Sequence, residues 1–333
     1  MWYNKAMEVT KKELSKSVKF ISESAEKIAE SIMSVFKGKT EVVELILTTL
    51  FAKGHVLLED VPGTGKTVLA KTLSKSIDSS FSRIQCTPDL MPADVTGCSV
   101  FNPKTQEFQF RTGPIMSSMV LVDELNRATP RTQSALLEAM AEGQVSVDGN
   151  TYKMPEPFFL IATENPVESE GTFPLPEAQK DRFMMALSIG YPDLENEITI
   201  IEAQRSVQHP LENVKPCVTS QDIITCQNDI VDVHVERVVL EYMLQLVNAT
   251  RNDDAIEVGV SPRGSIALYK ACQAYAAIHN RTYVVPDDVK TLVPFVFNKR
   301  IILKPNALMK GYTNAEVISR ILEQESVPNY TAK

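Results

Sequence analysis

The chain has 333 residues and a formal net charge of −8, and 44% of its residues are hydrophobic. This length and composition fit one large and one small globular domain. They argue against a broad basic surface for sequence-independent nucleic-acid binding, although a local basic pore stays compatible with them.

The sequence predicts a cytoplasmic protein without membrane insertion. No apolar run approaches the ~18 residues that a membrane helix needs, and the first residues lack the apolar core of a signal peptide. The histidine and cysteine spacings indicate neither a transition-metal site nor a disulfide framework. We expect buried, reduced thiols at Cys86, Cys98, Cys217, Cys226 and Cys272.

Residues 13–36 carry apolar side chains at alternating spacings of four and three, from Leu14 to Val35. This periodicity predicts an amphipathic helix. About three heptads of a coiled coil would fit this length, but a helix that packs beside a nucleotide domain is the more ordinary explanation. A second helix is predicted over 40–52.

The stretch from Asp60 to Thr67 closely matches a P-loop, the phosphate-binding turn between a strand and a helix. The apolar run 54–59 before it predicts a buried parallel strand. Leu69, Leu73 and Ile77 predict a helix after it. The order strand, loop and helix is the context that a P-loop requires.

Each P-loop residue type has a physical reason. Gly63 and Gly65 permit backbone torsions that let successive N–H groups face an anion. Lys66 would neutralise the β- and γ-phosphates, and the Thr67 hydroxyl would ligate Mg²⁺. Asp60 replaces the first glycine of the pattern, and we expect this position to need only its backbone. The predicted ATP-binding residues are Val61, Pro62, Gly63, Thr64, Gly65, Lys66, Thr67, Val68 and Asp123.

Two β-hairpins are predicted within the nucleotide domain. A turn signal at 102–105 between alternating residues predicts a hairpin over 99–112. Asp148 and Gly149 supply the two-residue turn of another over 145–152. The first hairpin is either an edge decoration or a mobile element that contacts a substrate or a neighbouring subunit.

An apolar strand over 119–124 ends in two acids, which is the form of a Walker B site. Asp123 would hold Mg²⁺ directly or through water, and Glu124 would orient and polarise the attacking water. This pattern is weak alone but strong downstream of a P-loop.

A strand predicted over 158–163 leads to Asn165, at the edge where a doubly wound sheet binds ligands. Asn165 could position the hydrolytic water or serve as a turn residue before Pro166. Arg182 could form a surface ion pair with its neighbour Asp181.

Helical patterns dominate after residue 190 and predict a smaller all-α domain. Its predicted helices cover 195–207, 220–230, 236–248, 265–280, 286–297 and 313–325. We therefore expect an α/β fold with a P-loop core of parallel sheet flanked by helices. The predicted divisions are an N-terminal helical segment (1–36), a nucleotide-binding domain (37–190) and a helical domain (191–333). Arg263 lies near a helix start, where a structural role is the ordinary interpretation.

Six stretches, in this order, resemble the motifs of MoxR-type AAA+ ATPases, and the resemblance spans about residues 35–325. They are VPGTGKT (61–67), VDELNRA (122–128), ALLEAM (135–140), ATENP (162–166), PLPEAQKDRF (174–183) and SPR (261–263). Several long motifs in the right order are specific, whereas a P-loop alone would admit many families.

The resemblance implies further roles. Asn165 matches the sensor-1 position, Arg182 the arginine finger that enters a neighbour's ATP site, and Arg263 the sensor-2 arginine at the start of a lid helix. Arg263 would serve either its own nucleotide or an adjacent one. The hairpins 99–112 and 145–152 match the helix-2 insert and the pre-sensor-1 hairpin. Such proteins form rings, usually hexamers, and act as chaperones that mature other proteins, often with a separate partner that carries a von Willebrand A domain.

The leading interpretation is thus an Mg²⁺-dependent ATPase that remodels protein partners. A nucleic-acid-stimulated motor or loader on the same core is the first alternative, and DNA-stimulated, salt-dependent ATPase activity would distinguish it. A non-hydrolysing, nucleotide-gated scaffold is the second, and a phosphate-release assay would distinguish that.

Overall fold

The computed structural model describes residues 2–165, 171–203 and 210–327, and side chains from Leu14 onward. Pro166, the end of the helix predicted over 195–207 and the last residues of the helical domain lie outside these ranges. Among the described residues, no helix has the length and apolarity needed to cross a membrane.

The first half alternates helices and strands around a sheet, as predicted. Its elements are α1 (Trp2–Val35), α2 (Thr40–Phe51), β1 (Val56–Glu59), α3 (Lys66–Ser76), β2 (Phe81–Gln85), α4 (Pro92–Thr96), β3 (Gly97–Asn102), β4 (Glu107–Thr112), β5 (Met119–Asp123), α5 (Pro130–Glu142), β6 (Gln144–Val147), β7 (Asn150–Lys153), β8 (Phe159–Glu164), α6 (Glu177–Lys180) and β9 (Met185–Leu187).

The second half is mostly helical. Its elements are α7 (Leu194–Ala203), α8 (Ser220–Asp229), α9 (Arg237–Asn252), β10 (Ile256–Val258), α10 (Pro262–Ile278), α11 (Pro286–Phe297), β11 (Ile302–Leu303), α12 (Pro305–Met309) and α13 (Asn314–Gln324). The antiparallel pair β10–β11 and the short helix α12 were not predicted.

Five parallel strands form the central sheet in the order β2-β5-β8-β1-β9. Side chains alternate between the faces of a strand, so the buried strands supply two cores. Val56 and Leu58 face the cluster that contains α1, α2 and α3, whereas Leu57 faces the cluster that contains α5. This helix–sheet–helix layering confirms the predicted α/β core, with the outer strand β9 as an addition.

The amphipathic face of α1 is buried inside the protein. Val18, Ile21, Ile28 and Ile32 are at most 1% exposed, and α1 packs against α2, α3, α8 and α10. The helix is therefore an internal packing element rather than half of an exposed coiled coil. One continuous apolar cluster runs from α1 through the sheet into α10 and α11, so the helical half shares a core with the nucleotide half.

Both predicted hairpins form, and they contact each other. Strands β3 and β4 pair antiparallel, as do β6 and β7. The rings of Phe110 and Tyr152 stack between them with centroids 4.0 Å apart. Phe101 and Phe108 on the first hairpin are exposed and touch edge to face.

The cysteine prediction was partly wrong. Cys86, Cys226 and Cys272 are buried, but Cys217 is only half-buried and Cys98, on β3, is exposed.

Candidate active site

The P-loop connects the carboxyl end of β1 to the start of α3. Gly63 and Gly65 have φ angles of +89° and +87°, in the left-handed region that glycine adopts without strain. Gly65 directly precedes α3. The backbone N–H groups at the start of this helix therefore border the adjoining cavity, where an anion would be favoured.

A cavity of about 380 Å³ lies beside the P-loop and collects most of the predicted site residues. Lys66 and Thr67 line it from α3, Asp123 and Glu124 from the end of β5, and Asn165 from the end of β8. They meet because β5, β8 and β1 are parallel neighbours whose carboxyl ends share one edge. Asn165 is only 8% exposed, so it belongs to the wall of the cavity as well as to a turn.

Thr163 links the two acids and was not predicted from the sequence. Its hydroxyl donates to Asp123 Oδ1 at 2.7 Å and accepts from the Glu124 N–H at 2.8 Å. Thr163 is 1% exposed. It fixes both the orientation of the Asp123 carboxylate and the backbone from which the Glu124 side chain projects.

Glu124 is held in a defined orientation. Its backbone has a left-handed φ of +55°, a torsion that is uncommon for a non-glycine residue and often occurs at functional sites. Gln85 Nε2 and Arg127 Nη1 both donate to Oε2, at 2.9 and 3.0 Å. The other carboxylate oxygen, Oε1, has no hydrogen bond within the described part of the chain.

Strand β2 contributes a second unpredicted group, Arg83. Its guanidinium donates to Asp123 Oδ2 and, at 2.8 Å, to Gln85 Oε1. Gln85 lies directly opposite Asp123 in the β2–β5 register. Arg83 and Gln85 are two residues apart on β2, and their spacing in the sequence was the available signal, since residues two apart on a strand share a face.

Lys66 points toward the acidic end of the sheet. Its ammonium donates to the Asp60 carbonyl at 2.7 Å. Burial lowers the pKa of Lys66, and the carboxylates of Asp60, Asp123 and Glu124 act in the opposite direction. The effect of burial is the larger one, so the pKa of Lys66 is lowered in spite of the three nearby carboxylates.

The expectation that Asp60 needs only its backbone was wrong. Its carboxylate accepts hydrogen bonds from the Ser188 hydroxyl at 2.9 Å, the Ile189 N–H at 2.7 Å and the Gly190 N–H at 2.9 Å. Asp60 is 5% exposed. The residue that replaces the first glycine thus ties the entrance of the P-loop to the segment that follows β9.

A second cavity, of about 270 Å³, lies on the other side of the P-loop and is mostly apolar. Its lining includes Phe36, Val68, Ile189, Tyr191 and Ile200. Gly63, Gly65 and Val68 line both cavities. The loop thus separates a polar cavity, lined by both cations and carboxylates, from a mostly apolar one.

Arg182 does not join this site. Met185 pairs with Val56 at the start of β1, and Arg182 precedes Met185, so it lies near the amino ends of the strands. The P-loop lies at their carboxyl ends. The Arg182 guanidinium donates to the Leu137 carbonyl at 2.8 Å.

The surface ion pair considered for Asp181 and Arg182 is also absent from the described residues. Asp181 instead pairs with Arg300, with Nε and Oδ1 2.8 Å apart, and accepts from the Ser261 hydroxyl at 2.9 Å. Arg263 is exposed in the first turn of α10, next to Ser261. Arg263 therefore lies with the Arg182 segment and is not part of the cavity beside the P-loop.

Comparison with known proteins agrees with this arrangement. Residues 55–185 match the ATPase family associated with various cellular activities (AAA), and residues 248–321 match an AAA lid domain. Chaperone MoxR1 of Mycobacterium tuberculosis is 37% identical over 310 residues, which cover 90% of this chain and 81% of that protein. The chain belongs to the MoxR family of AAA+ ATPases.

Two further similarities extend over nearly the whole MoxR-family chain. Uncharacterized protein YeaC of Bacillus subtilis is 49% identical over 91% of this chain and 94% of its own length. The crystal structure of a Cytophaga hutchinsonii protein provisionally named an ATPase superposes with a TM-score of 0.89 at 35% identity. That match covers 97% of this chain and 100% of the other. The resemblance and the AAA+ fold with a helical lid are confirmed.

The role of Asp60 predicts an unusual response to Asp60→Gly, which would restore the first glycine of the P-loop pattern. We expect a loss of at least about 1.5 kcal/mol in the free energy of unfolding, because the buried Ile189 N–H and the half-buried Gly190 N–H lose a charged acceptor. Urea denaturation measures this. The matched control is Asp78→Gly, at an exposed residue with a φ of +47°. There glycine relieves an unfavourable torsion, so stability should stay equal or rise. Equal losses in both variants would contradict the role of Asp60.

The Thr163 bridge predicts the effect of Thr163→Val, which keeps the shape but removes the hydroxyl. We expect ATP turnover to fall by about 10–100-fold and half-maximal activity to need more Mg²⁺, because Asp123 and Glu124 lose their shared anchor. Steady-state assays over a Mg²⁺ titration measure both effects. The control is Thr49→Val, since the buried Thr49 hydroxyl donates only to the Leu45 carbonyl of its own helix, at 2.8 Å. Unchanged Mg²⁺ dependence in Thr163→Val would refute the bridge.

Proposed function

We propose that the protein is a ring-forming, Mg²⁺-dependent ATPase that hydrolyses ATP to ADP and phosphate and acts as a chaperone on protein partners. One observation carries the proposal. The P-loop, both Walker B acids and Asn165 meet at the carboxyl edge of the sheet, while Arg182 lies at the amino edge. Arg182 thus lies away from the site of its own subunit, and two copies side by side could place the Arg182 of one beside the site of the other.

The two cavities beside the P-loop divide the nucleotide between them. The phosphates would occupy the polar cavity, against Lys66 and the start of α3, where N–H groups and a cation favour anions. The base would occupy the apolar cavity beside Phe36 and Tyr191. Residues 62–68 each line at least one of these two cavities, which supports the predicted ATP contacts at those positions.

The donors present fit Mg²⁺. The Thr67 hydroxyl and the Asp123 carboxylate are hard oxygen donors that line the same cavity, and Mg²⁺ prefers such ligands together with phosphate oxygens and water. When bound, the ion would neutralise charge that develops on the phosphates. Thr163 and Arg83 would keep the Asp123 carboxylate oriented for this task.

Glu124 is the group that orients the attacking water. Gln85 and Arg127 occupy one carboxylate oxygen, so the carboxylate cannot rotate freely and the other oxygen remains available to the water. Asn165, from the neighbouring strand, would hold the same water from the side. Positioning of the nucleophile and stabilisation of charge supply most of the catalysis in phosphoryl transfer.

The remaining charge on the transferring phosphoryl group would be met by Arg182 from an adjacent subunit. Arg263 lies in the same region as Arg182, so we assign it to the adjacent nucleotide as well. Head-to-tail contacts of this kind close into a ring when the rotation permits. A hexamer is the size that the family resemblance implies.

The partner assignment rests on similarity. A relative at 37% identity carries the name Chaperone MoxR1, and the exposed hairpin pair Phe101 and Phe108 offers apolar surface for protein contact. A separate protein client, or a partner with a von Willebrand A domain, stays part of the proposal. The cytoplasmic location also stays a prediction. Stimulation by DNA that weakens with salt would favour the nucleic-acid motor instead.

Complementation tests the shared site. Arg182→Ala should bind ATP normally but lose at least about 10³-fold in turnover, because the missing cation acts in the transition state. Lys66→Ala should lose ATP binding.

A mixture of the two variants should regain activity, since random assembly places an intact site beside an intact arginine at roughly one interface in four. Phosphate release measures turnover. Arg237→Ala serves as the control, because Arg237 is exposed and, within the described part of the chain, pairs only with Glu241. A mixture without activity, from variants that assemble, would show that Arg182 does not act in trans.

Glu124→Gln tests the water-orienting group and captures partners. The amide oxygen can still accept from Gln85 and Arg127, but the side chain no longer polarises water. We expect ATP to remain bound and unhydrolysed in the assembled protein, and client proteins to co-purify only with ATP. Retained nucleotide is identified by chromatography after denaturation. Rapid conversion of bound ATP to ADP would count against Glu124 in this role.

A further inference from the structure

The turn after α11 places a buried arginine on the segment that carries Arg182. Arg300 has only 4% of its side chain exposed. Its Nε donates to Asp181 Oδ1 at 2.8 Å, and Nη2 donates to the Phe183 carbonyl at 2.6 Å and the Asp181 carbonyl at 3.2 Å. Nη1 donates to the Met184 carbonyl at 3.0 Å. One guanidinium therefore contacts the residues on both sides of Arg182.

These contacts fix the backbone of the segment 181–184. Arg182 has hydrogen-bonded residues immediately before and after it, and the planar guanidinium holds its five N–H donors in a rigid fork. Ser261, from the start of α10, adds a hydrogen bond to the second oxygen of Asp181. Two parts of the helical lid thus hold the segment from which Arg182 projects.

We propose that Arg300 is a positioning residue for ATP hydrolysis, which holds the segment 181–184 so that Arg182 of the same subunit reaches the ATP site of its neighbour. This inference rests on the proposed shared site. It adds that the lid of one subunit controls hydrolysis in the next subunit, through the arginine that it positions.

The residue before Arg300 connects the same turn to the subunit's own site. Lys299 Nζ lies 2.5 Å from Glu59 Oε1. Glu59 is the last residue of β1 and directly precedes Asp60 at the P-loop entrance. Two consecutive lid residues therefore contact two places: Lys299 contacts the strand that leads into the subunit's own P-loop, and Arg300 contacts the segment that carries Arg182.

Stability alone gives no sufficient reason for Arg300. Burial disfavours a charged guanidinium and lowers the pKa of Arg300, and Asp181 opposes this shift. A buried ion pair is often no more stabilising than apolar residues of the same volume. The several donors of Arg300 to one short segment instead give that segment a single geometry.

The test places Arg300→Lys in one subunit type of the complementing mixture at a time. Lysine keeps a cation for Asp181 but cannot reach all the carbonyl groups that the guanidinium contacts. The donor subunit is Lys66→Ala, which supplies Arg182 but has no working site. The acceptor subunit is Arg182→Ala, which has a working site but no arginine to offer. Activity in the mixture reports only on interfaces between the two.

Arg300→Lys in the donor should lower the kcat of the mixture by about 10-fold or more without raising the KM for ATP, since a small misplacement of a catalytic group is costly. In the acceptor, it should change kcat by less than about 2-fold, because no arginine remains there to position. An equal loss of kcat with Arg300→Lys in the donor and in the acceptor, or no loss of kcat with the variant in the donor, would overturn the role of Arg300. An inactive parent mixture would instead overturn the shared site, and this inference with it.

Two further variants separate positioning from folding. Arg281→Lys is the matched control, because Arg281 also makes a two-pronged pair with a buried lid aspartate, Asp288, but contacts no residue of the segment 181–184. Arg281→Lys should change the kcat of the mixture by the same factor in the donor and in the acceptor.

Asp181→Asn removes the charge of the carboxylate that pairs with Arg300. It should lower the kcat of the mixture when it is in the donor and not when it is in the acceptor. Thermal unfolding and sedimentation establish that each variant folds and assembles. A donor-specific loss in Arg281→Lys, or none in Asp181→Asn, would count against the positioning role.

Discussion

The common direction of the five strands is the constraint on which the remaining structure depends. Groups that follow parallel strands gather at one edge of a sheet, and groups that precede them gather at the other. The adjacent strands β5, β8 and β1 thereby bring two acids, a polar side chain and the P-loop together at one edge. The same constraint keeps Arg182, which precedes β9, away from them. The proposed ring would bring the two parts together between neighbouring copies.

Asp60 shows how a departure from a motif is compensated elsewhere. The loop lacks its first glycine, but the carboxylate that replaces it accepts three hydrogen bonds from residues 188–190. That segment continues into Tyr191, which lines the apolar cavity. Meanwhile the Asp60 carbonyl accepts from Lys66. Asp60 therefore connects the polar side of the P-loop, through Lys66, with the apolar side, through residues 188–190. These contacts explain why an aspartate can stand where the P-loop pattern has a glycine.

The sequence was informative where chemistry and spacing are local. The P-loop and the Walker B acids are contiguous motifs, and long apolar runs predicted the strands around them. Strand β9 was missed because three residues, Met185–Leu187, are too few to show a period. The Asp181–Arg300 contact joins residues 119 apart, so it depends on how the lid packs on the sheet. Thr163 joins Asp123 across 40 residues for a similar reason, since the strand register decides that contact.

Sequence neighbours also proved a poor guide to ion pairs. Asp181 and Arg182 are adjacent and oppositely charged, but they do not pair with each other. The Asp181 side chain pairs with Arg300 of the lid, and the Arg182 side chain donates to a carbonyl group of α5. This divergence has a physical consequence. A free arginine on a surface loop would have many rotamers and backbone states, and ordering them on encounter would cost entropy. Anchoring the flanking residues removes part of that cost before a neighbour arrives.

The link between the two edges of the sheet follows from packing. Helix α1 touches both α3, which begins at the P-loop, and α10, which begins beside Arg263. The apolar cluster is continuous from these helices through α11, whose end carries Lys299 and Arg300. Close-packed interiors transmit displacement because they contain little space to absorb it. A shift of α3 on binding a nucleotide therefore has a continuous path of contacts to the turn that holds the Arg182 segment. Under the proposed shared site, the lid would therefore connect a subunit's own nucleotide with the arginine that serves its neighbour.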